Sequence, residues 1–220
     1  YVGGYQGAPV SHLLDVMVQA RDYMAELGVH VQACTNEASA AAMLGASIVY
    51  PVRGAVTWKS IVGTNVAADA LSNLASPGVK GGCLIVVGED YGDGASVIQE
   101  RTHAFAMKSA VWLMDPRPDL PTIVRCVEKS FELSEASHTP VIMELRIRAC
   151  HVQGEFKAKD NVKPAISTLN KRPAAPHDYA TLSHPPVTFG QEKAKYEERM
   201  PAARRFIVGH GLNEKFDGRH

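Results

Sequence analysis

The 220-residue sequence predicts a doubly wound α/β fold, with a mainly parallel sheet over residues 1–150 and an extended Pro-rich C-terminal arm after it. Three observations carry this prediction. Short apolar, β-branched segments alternate with helical-period segments of about 10–18 residues, the pattern of repeated right-handed βαβ crossovers. Residues 83–88 (Cys-Leu-Ile-Val-Val-Gly) form an unbroken apolar run, as in a strand covered on both faces. Beyond residue 150 the periodicity stops, and Pro164, Pro173, Pro176, Pro185 and Pro186 collect, which reads as an arm or linker.

The elements follow in order. Residues 1–8 (Tyr-Val-Gly-Gly-Tyr-Gln-Gly-Ala) are a short strand entering a glycine-bearing turn, with Pro9 placed as a first helical residue. Val10, Leu13, Leu14, Met17, Ala20, Met24 and Leu27 then recur at helical spacing, and Gly28 closes that helix. A second strand, residues 29–33, runs into Thr35 and Asn36, both good N-cap residues. The helix they open is built almost wholly of Ala, Ser, Gly, Met and Leu, and Glu37 is its only charged residue before Pro51. A third strand at 53–58 leads to a less regular stretch at 59–76, punctuated by Gly63, Asn65 and Asp69. The buried strand at 83–88 ends in an acidic loop, Glu89-Asp90-Tyr91-Gly92-Asp93-Gly94, at the strand end where open α/β sheets hold ligands. A helix over 98–109, a strand at 111–114, a helix over 120–137 and a strand at 141–147 complete the domain. A charged helix over 191–207, lying on a partner or neighbouring domain, follows the arm. The expected division is therefore 1–150, 151–190 and 191–220.

Composition narrows the function classes. Lys plus Arg equals Asp plus Glu at 23 each, so there is no electrostatic footprint for nucleic acid or an anionic membrane. No apolar run approaches the roughly 20 residues of a membrane span. No leader-like stretch is visible and Tyr1 already lies within a strand-like segment, so the chain is expected to be a piece of something longer. Cys34, Cys83, Cys126 and Cys150 form no Cys-x-x-Cys pair, which speaks against zinc or iron–sulfur ligation here and suits a reducing cytoplasm.

Several groups are candidates for chemistry. Glu37 has two open readings: a first-turn carboxylate that complements the helix dipole, worth about 0.3–1 kcal/mol, or a carboxylate held against small apolar side chains and able to trade a proton with a flat ligand. The first turn lacks a Gly-x-Gly-x-x-Gly fingerprint, though a strand, a Gly-rich turn and a helix start can host a polar ligand. Glu89, Asp90 and Asp93 have the oxygen donors for a divalent cation, but solvated loop carboxylates are commoner, and no metal is assigned. Gly92-Asp93-Gly94 resembles the start of the thiamine-diphosphate phosphate-binding motif, yet its downstream Asn is missing: none occurs between Gly94 and Asn161. No Gly-x-Ser-x-Gly elbow exists, and Cys34 reads as a core thiol.

Taken together, Gly4-Tyr5-Gln6-Gly7-Ala8-Pro9, Asn36-Glu37-Ala38, Leu44-Gly45-Ala46-Ser47, the run Val56-Thr-Trp-Lys-Ser-Ile-Val-Gly-Thr-Asn-Val-Ala-Ala-Asp-Ala70 and Gly78-Val-Lys-Gly-Gly-Cys-Leu-Ile-Val-Val-Gly88 resemble the large subunits of indolepyruvate:ferredoxin oxidoreductases. The resemblance covers roughly residues 3–150. It implies the pyrimidine-binding domain of the thiamine-diphosphate-dependent 2-oxoacid:ferredoxin oxidoreductases, whose diphosphate and Mg²⁺ site and iron–sulfur clusters lie on other domains or subunits. In such enzymes a glutamate matching Glu37 bonds N1′ of the aminopyrimidine, favouring the tautomer whose nitrogen takes the C2 proton of the thiazolium. The resemblance further implies cofactor contacts from Gly7, Ala8, Lys59 and Asn65 and substrate contacts from Pro9, Arg101 and His103. Helix packing and capping also account for Lys59, Asn65 and Asp69. Two departures stand out. Ala8-Pro9 replaces a Thr-Pro that sets a hydroxyl near substrate, and ungapped counting puts His103 rather than Arg101 opposite the arginine of relatives.

The implied function is part of an oligomeric enzyme that oxidatively decarboxylates 2-oxo acids such as indolepyruvate to acyl-CoA. Its partners are a diphosphate-binding domain or subunit, a second oxidoreductase subunit, ferredoxin and coenzyme A, and the chain alone is expected to be inactive. Two alternatives come from other classes: a non-catalytic assembly module, which needs no buried carboxylate at position 37, and a flavodoxin-like nucleotide binder, which needs a phosphate-cradling Gly loop.

Overall fold

A computed structural model describes residues 1–90, 98–99, 101–167, 169–170, 174–175 and 177–218. Six strands, β1 (Val2–Gly4), β2 (Val31–Ala33), β3 (Gly54–Lys59), β4 (Cys83–Glu89), β5 (Trp112–Met114) and β6 (Val141–Arg146), form one sheet in the order β2-β1-β3-β4-β6-β5. Every pairing is parallel, so each connection crosses over a face of the sheet. The winding reverses between β1 and β3: the chain goes from β1 out to β2, then back past β1 to β3 and β4. A ligand crevice in such a sheet opens at the carboxyl ends of the strands beside that reversal.

The apolar run places β4 at the centre, with all seven residues buried. Its alternate side chains serve two layers, as the two-residue period of a strand requires. Ile85 and Val87 join Trp58, Leu44, Leu71 and Leu74 on one face. Leu84 and Val86 meet Met143, Cys126, Val127 and Phe131 on the other. The first face is covered by helices α3 (Glu37–Met43), α4 (Ala46–Val49) and α5 (Ala68–Ala75), and the second by the longest helix, Leu120–Ser137. That helix has the bounds its sequence pattern predicts, opened by Asp119, whose carboxylate accepts the Thr122 N–H at 2.9 Å.

Several boundaries differ from the periodicity. The helix expected between Pro9 and Leu27 is two, α1 (Ser11–Gln19) and α2 (Arg21–Glu26), broken at Ala20, and Pro9 stays in the preceding turn. Gly28 ends the second with φ +76°, a value glycine adopts without strain. The helix opened by Asn36 tightens at Leu44 and Gly45, whose N–H groups bond three residues back, and restarts as α4. The irregular 59–76 stretch is a π-helical turn, Ser60–Thr64, followed by α5. The helix expected over 98–109 is α6 (Thr102–Ser109), which precedes α7 (Leu120–Ser137) and a short α8 (Ile147–Cys150).

After α8 the described residues up to 167 have almost no regular structure and are mostly exposed. The C-terminal helix starts earlier and ends later than its sequence predicts: α9 (Val187–Ala194), a π-helical turn and α10 (Met200–Gly209) run on continuously. It packs against α7 and β6 of the same chain. Ala203, Phe206 and Ile207 pack with Leu133 and Val141. Arg199, 7 % exposed, donates to the carbonyls of Ala75, Ser76 and Gln191 at 3.0, 2.7 and 2.8 Å, satisfying the orphan carbonyls at the end of α5.

Candidate functional site

The carboxyl ends of β1, β3 and β4 gather the first turn and Lys59. A Cβ on Gly7 would lie 2.6 Å from Lys59 Cβ and 2.8 Å from its backbone nitrogen, so only glycine lets the turn rest on the end of β3. Pro9 closes over the central strand, since a Cβ on Gly88 would meet Pro9 Cδ at 2.7 Å. Ala8 is exposed. Its carbonyl accepts from Lys59 Nζ at 3.1 Å, and Lys59 also donates to Asp90 Oδ1 and Oδ2 at 2.7 and 2.8 Å. An ammonium has three donors, so Lys59 is fully engaged by its own chain and clasps the first turn to the end of β4.

Glu37 occupies the first turn of α3. Asn36 is the N-cap, its Oδ1 accepting the Ser39 N–H at 2.8 Å, as the Thr-Asn signal predicts. Glu37 is only 5 % exposed, although a carboxylate that served solely as a dipole partner would gain from hydration. The π-helical turn after β3 walls it in: a Cβ on Gly63 would lie 2.9 Å from Glu37 Cγ and 2.5 Å from Trp58 Cδ1. The Trp58 indole holds that turn by donating to Thr64 Oγ1 at 3.2 Å. Among the described residues the Glu37 carboxylate has no hydrogen-bond or ion-pair partner within the chain. Buried polar groups are normally satisfied, so this carboxylate is poised for a donor from outside.

The other sequence-predicted residues lie further out. Asn65, exposed at the end of the turn, donates to Ile61 O at 2.6 Å and makes further polar contacts. Asp69, exposed on α5, accepts from the Asn73 amide. Arg101 is exposed just before α6 and is also engaged, while His103 is exposed two residues on. Arg101 is the extended N-cap of α6 and His103 the second residue of that helix. In the acidic loop Asp90 belongs to Lys59 and Glu89 to Thr102, while Asp93 and the Gly92-Asp93-Gly94 motif lie outside the described residues. Among the described residues no three His, Cys, Asp or Glu side chains are grouped to hold a metal, and no helix is long and apolar enough to cross a membrane. The four cysteines are free.

The sequence reading missed one cluster. Glu144 is buried in β6 beside Glu89, and the network reaches Thr102 and Ser60. The available signal was a single glutamate inside the apolar run Val-Ile-Met-Glu-Leu at residues 141–145.

No protein-family profile matches the chain. Over 170 residues it is 26 % identical to the indolepyruvate oxidoreductase subunit IorA of Methanothermobacter marburgensis, an alignment covering 77 % of this chain and 27 % of that protein. Over 152 residues it is 32 % identical to the IorA of Thermococcus kodakarensis, covering 69 % of this chain and 23 % of that protein. The matched part therefore spans only 22–27 % of these and the Pyrococcus horikoshii relative. Among solved structures, 2-oxoglutarate:ferredoxin oxidoreductase from Magnetococcus marinus superposes with a TM-score of 0.61 at 15 % identity, over 99 % of this chain and 44 % of that one. Benzoylformate decarboxylase from Polynucleobacter necessarius superposes with a TM-score of 0.52 at 15 % identity, over 76 % of this chain and 30 % of that one. At that identity the likeness shows a shared fold, and the expected parallel α/β architecture is borne out.

Proposed function

We propose that this chain, a relative of the IorA subunits of indolepyruvate oxidoreductase, supplies the domain that holds the aminopyrimidine of thiamine diphosphate in an enzyme oxidising 2-oxo acids such as indolepyruvate. Ferredoxin takes the electrons and coenzyme A the acyl group. The domain comprises residues 1–150, and the arm and C-terminal helix are appended to it. A diphosphate- and Mg²⁺-binding domain, a second subunit and the iron–sulfur clusters lie outside this chain, which is inactive alone. The four free cysteines support a reducing, cytoplasmic setting.

The observation that carries this reading is the Glu37 carboxylate, 5 % exposed and without a partner inside the chain. An assembly module has no use for such a group, since desolvating a carboxylate is costly unless something compensates it. An aminopyrimidine ring nitrogen is a fitting partner: it is weakly basic, and once protonated its N–H donates to the carboxylate, so that the pair shares one proton. Thiamine diphosphate, when bound, supplies a carbon nucleophile and an electron sink for decarboxylation. This chain's residues supply the surroundings. Glu37 holds the proton at the ring nitrogen, Gly63 and Trp58 pack along its side chain, and the Lys59–Asp90–Ala8 clasp fixes the first turn. Arg101 is the chain's candidate for the substrate carboxylate, with His103 as the ungapped counterpart.

Glu37→Gln in the assembled enzyme tests this. The amide keeps shape and reach but cannot share the proton, and positioned acid–base groups contribute about 10²–10⁴-fold in rate. Ketoacid-dependent reduction of ferredoxin or a dye should fall by that much, with the melting temperature nearly unchanged. Turnover within about threefold of wild type at saturating cofactor, far below that range, overturns the assignment.

A further inference from the structure

Two glutamates at the carboxyl ends of the central strands form a cluster that the chemistry above does not use. Glu89 ends β4 and Glu144 sits in β6 opposite Val87, at 5 % and 3 % exposure. Glu89 Oε2 accepts the Thr102 hydroxyl at 2.7 Å and the Thr102 N–H at 3.4 Å. The Thr102 hydroxyl lies 2.8 Å from Ser60 Oγ, at the start of the turn that walls in Glu37. Glu89 Oε1 is fully buried and accepts nothing from the nitrogens and hydroxyls of the described residues. The Glu89 carboxyl group lies against that of Glu144, whose own Oε1 lies 3.1 Å from Arg146 Nε.

Two ionised carboxylates so placed would repel, and an ionised pair offers no donor to the orphaned oxygen. One proton supplies the missing donor and removes one of the charges. Arg146 is shared with Asp115 at 2.9 Å from the β5 side, and Lys59 is spent on Asp90 and Ala8. Arg101 and His103, beside Thr102, are exposed, and Cys150 on α8 is a neutral thiol pushed up to about 11 by its burial.

We propose that Glu89 and Glu144 share one proton, and that this proton closes the chain Glu144–Glu89–Thr102–Ser60, which positions the turn at residues 60–64 against Glu37. Both are positioning residues, touching no reacting atom. Releasing the proton breaks one O–H bond, sends the proton to solvent and leaves both carboxylates ionised. Burial, and then the hydrogen bond and charge of Glu89, push the Glu144 carboxyl group up to about 8. The folded chain thus keeps a proton that an unfolded glutamate gives up near 4.3. The stabilisation is full below that pH and is lost as the pH rises through about 8. The proposal rests on the fold and not on the cofactor, so failure of the thiamine reading leaves it standing.

The test is carboxyl-carbon NMR of the full chain labelled with δ-¹³C glutamate, titrated in the wild type, Glu144→Gln and Glu89→Gln. One wild-type glutamate signal should titrate near pH 8, be missing in Glu144→Gln and move to lower pH in Glu89→Gln. If no glutamate signal titrates above about pH 7, well outside the ordinary glutamate range, the shared proton is refuted, and this outcome is readable on the wild type even where a variant fails to fold. Amide hydrogen exchange reads the positioning separately. Protection of residues 60–64, corrected for the intrinsic rate, should fall about tenfold between pH 7 and 9 in the wild type. It should stay level in Glu144→Gln, whose amide donates at any pH. Wild-type protection that does not change over that range overturns the positioning role.

Discussion

Replacing Lys59 by methionine removes the cation that Asp90 and the first turn share. Asp90 keeps its place at the end of the central strand, with a side chain only 2 % exposed, and loses both ammonium hydrogen bonds. A carboxylate left ionised and unpaired typically costs about 3–5 kcal/mol when a buried pair is broken, so Lys59→Met should lose about 4 kcal/mol at pH 7. Lys59→Met/Asp90→Asn, with no charge left to bury, should recover at least half of the deficit. Denaturant titrations of the wild type and the single and double variants at pH 7 measure this. A Lys59→Met deficit below about 1 kcal/mol at pH 7, the range of an exposed pair, refutes the reasoning. So does a double variant no more stable than the single one.

Other outcomes follow from the same contacts. Gly63→Ala puts a methyl group 2.5 Å from the fully buried Trp58 ring and 2.9 Å from Glu37; overpacking of this kind costs about 1–3 kcal/mol, seen as a lower denaturation midpoint, and a change within error would show that the turn yields freely. Arg199→Met strips donors from the carbonyls of Ala75, Ser76 and Gln191, so about 1.5–3 kcal/mol should be lost, with faster amide exchange concentrated in α5 and α9. The chain alone should bind thiamine diphosphate weakly or not at all by calorimetry, and tight Mg²⁺-dependent binding would overturn the proposed division of the site between domains. Thr102→Val cuts the hydroxyl chain but leaves both glutamates in place, so residues 60–64 should lose exchange protection at every pH rather than only at alkaline pH.

Much of this molecule is legible in one dimension. The strands are short and apolar, and parallel pairing forces a crossover between each pair, so the alternation alone implies the sheet. The run at 83–88 identifies the central strand because only a strand covered on both faces can be apolar at every position. Asp119 before the long helix and Asn36 before Glu37 mark their helix starts, since capping is a contact made within four residues. Boundaries are less legible where the backbone trades one helical hydrogen-bond pattern for another. The π-helical turns at Ser60–Thr64 and Lys195–Arg199 and the break at Ala20 have no distinctive residue code. The C-terminal helix shows an apolar stripe, but nothing in that stripe says which surface covers it. Tertiary packing decided on the chain's own α7.

The candidate site divides in the same way. That Glu37 stands alone in an apolar helix start is written in the sequence, and so is the glycine at position 63. That the two touch, that the carboxylate finds no donor in the chain, and that Lys59 is spent on Asp90 and Ala8 depend on segments 26 to 51 residues apart being folded onto the same strand ends, and no local pattern encodes such pairings. Glu89 and Glu144 make the point most sharply. Apart, one is a glutamate at the end of an apolar run and the other a glutamate inside one, and 55 positions separate them in the chain. The parallel register of β4 and β6 brings them side by side in a dry interior. The sequence determined which groups could ionise, and the folded sheet decided which of them must share a proton, because the energy of a charge depends on its neighbours and on its distance from water.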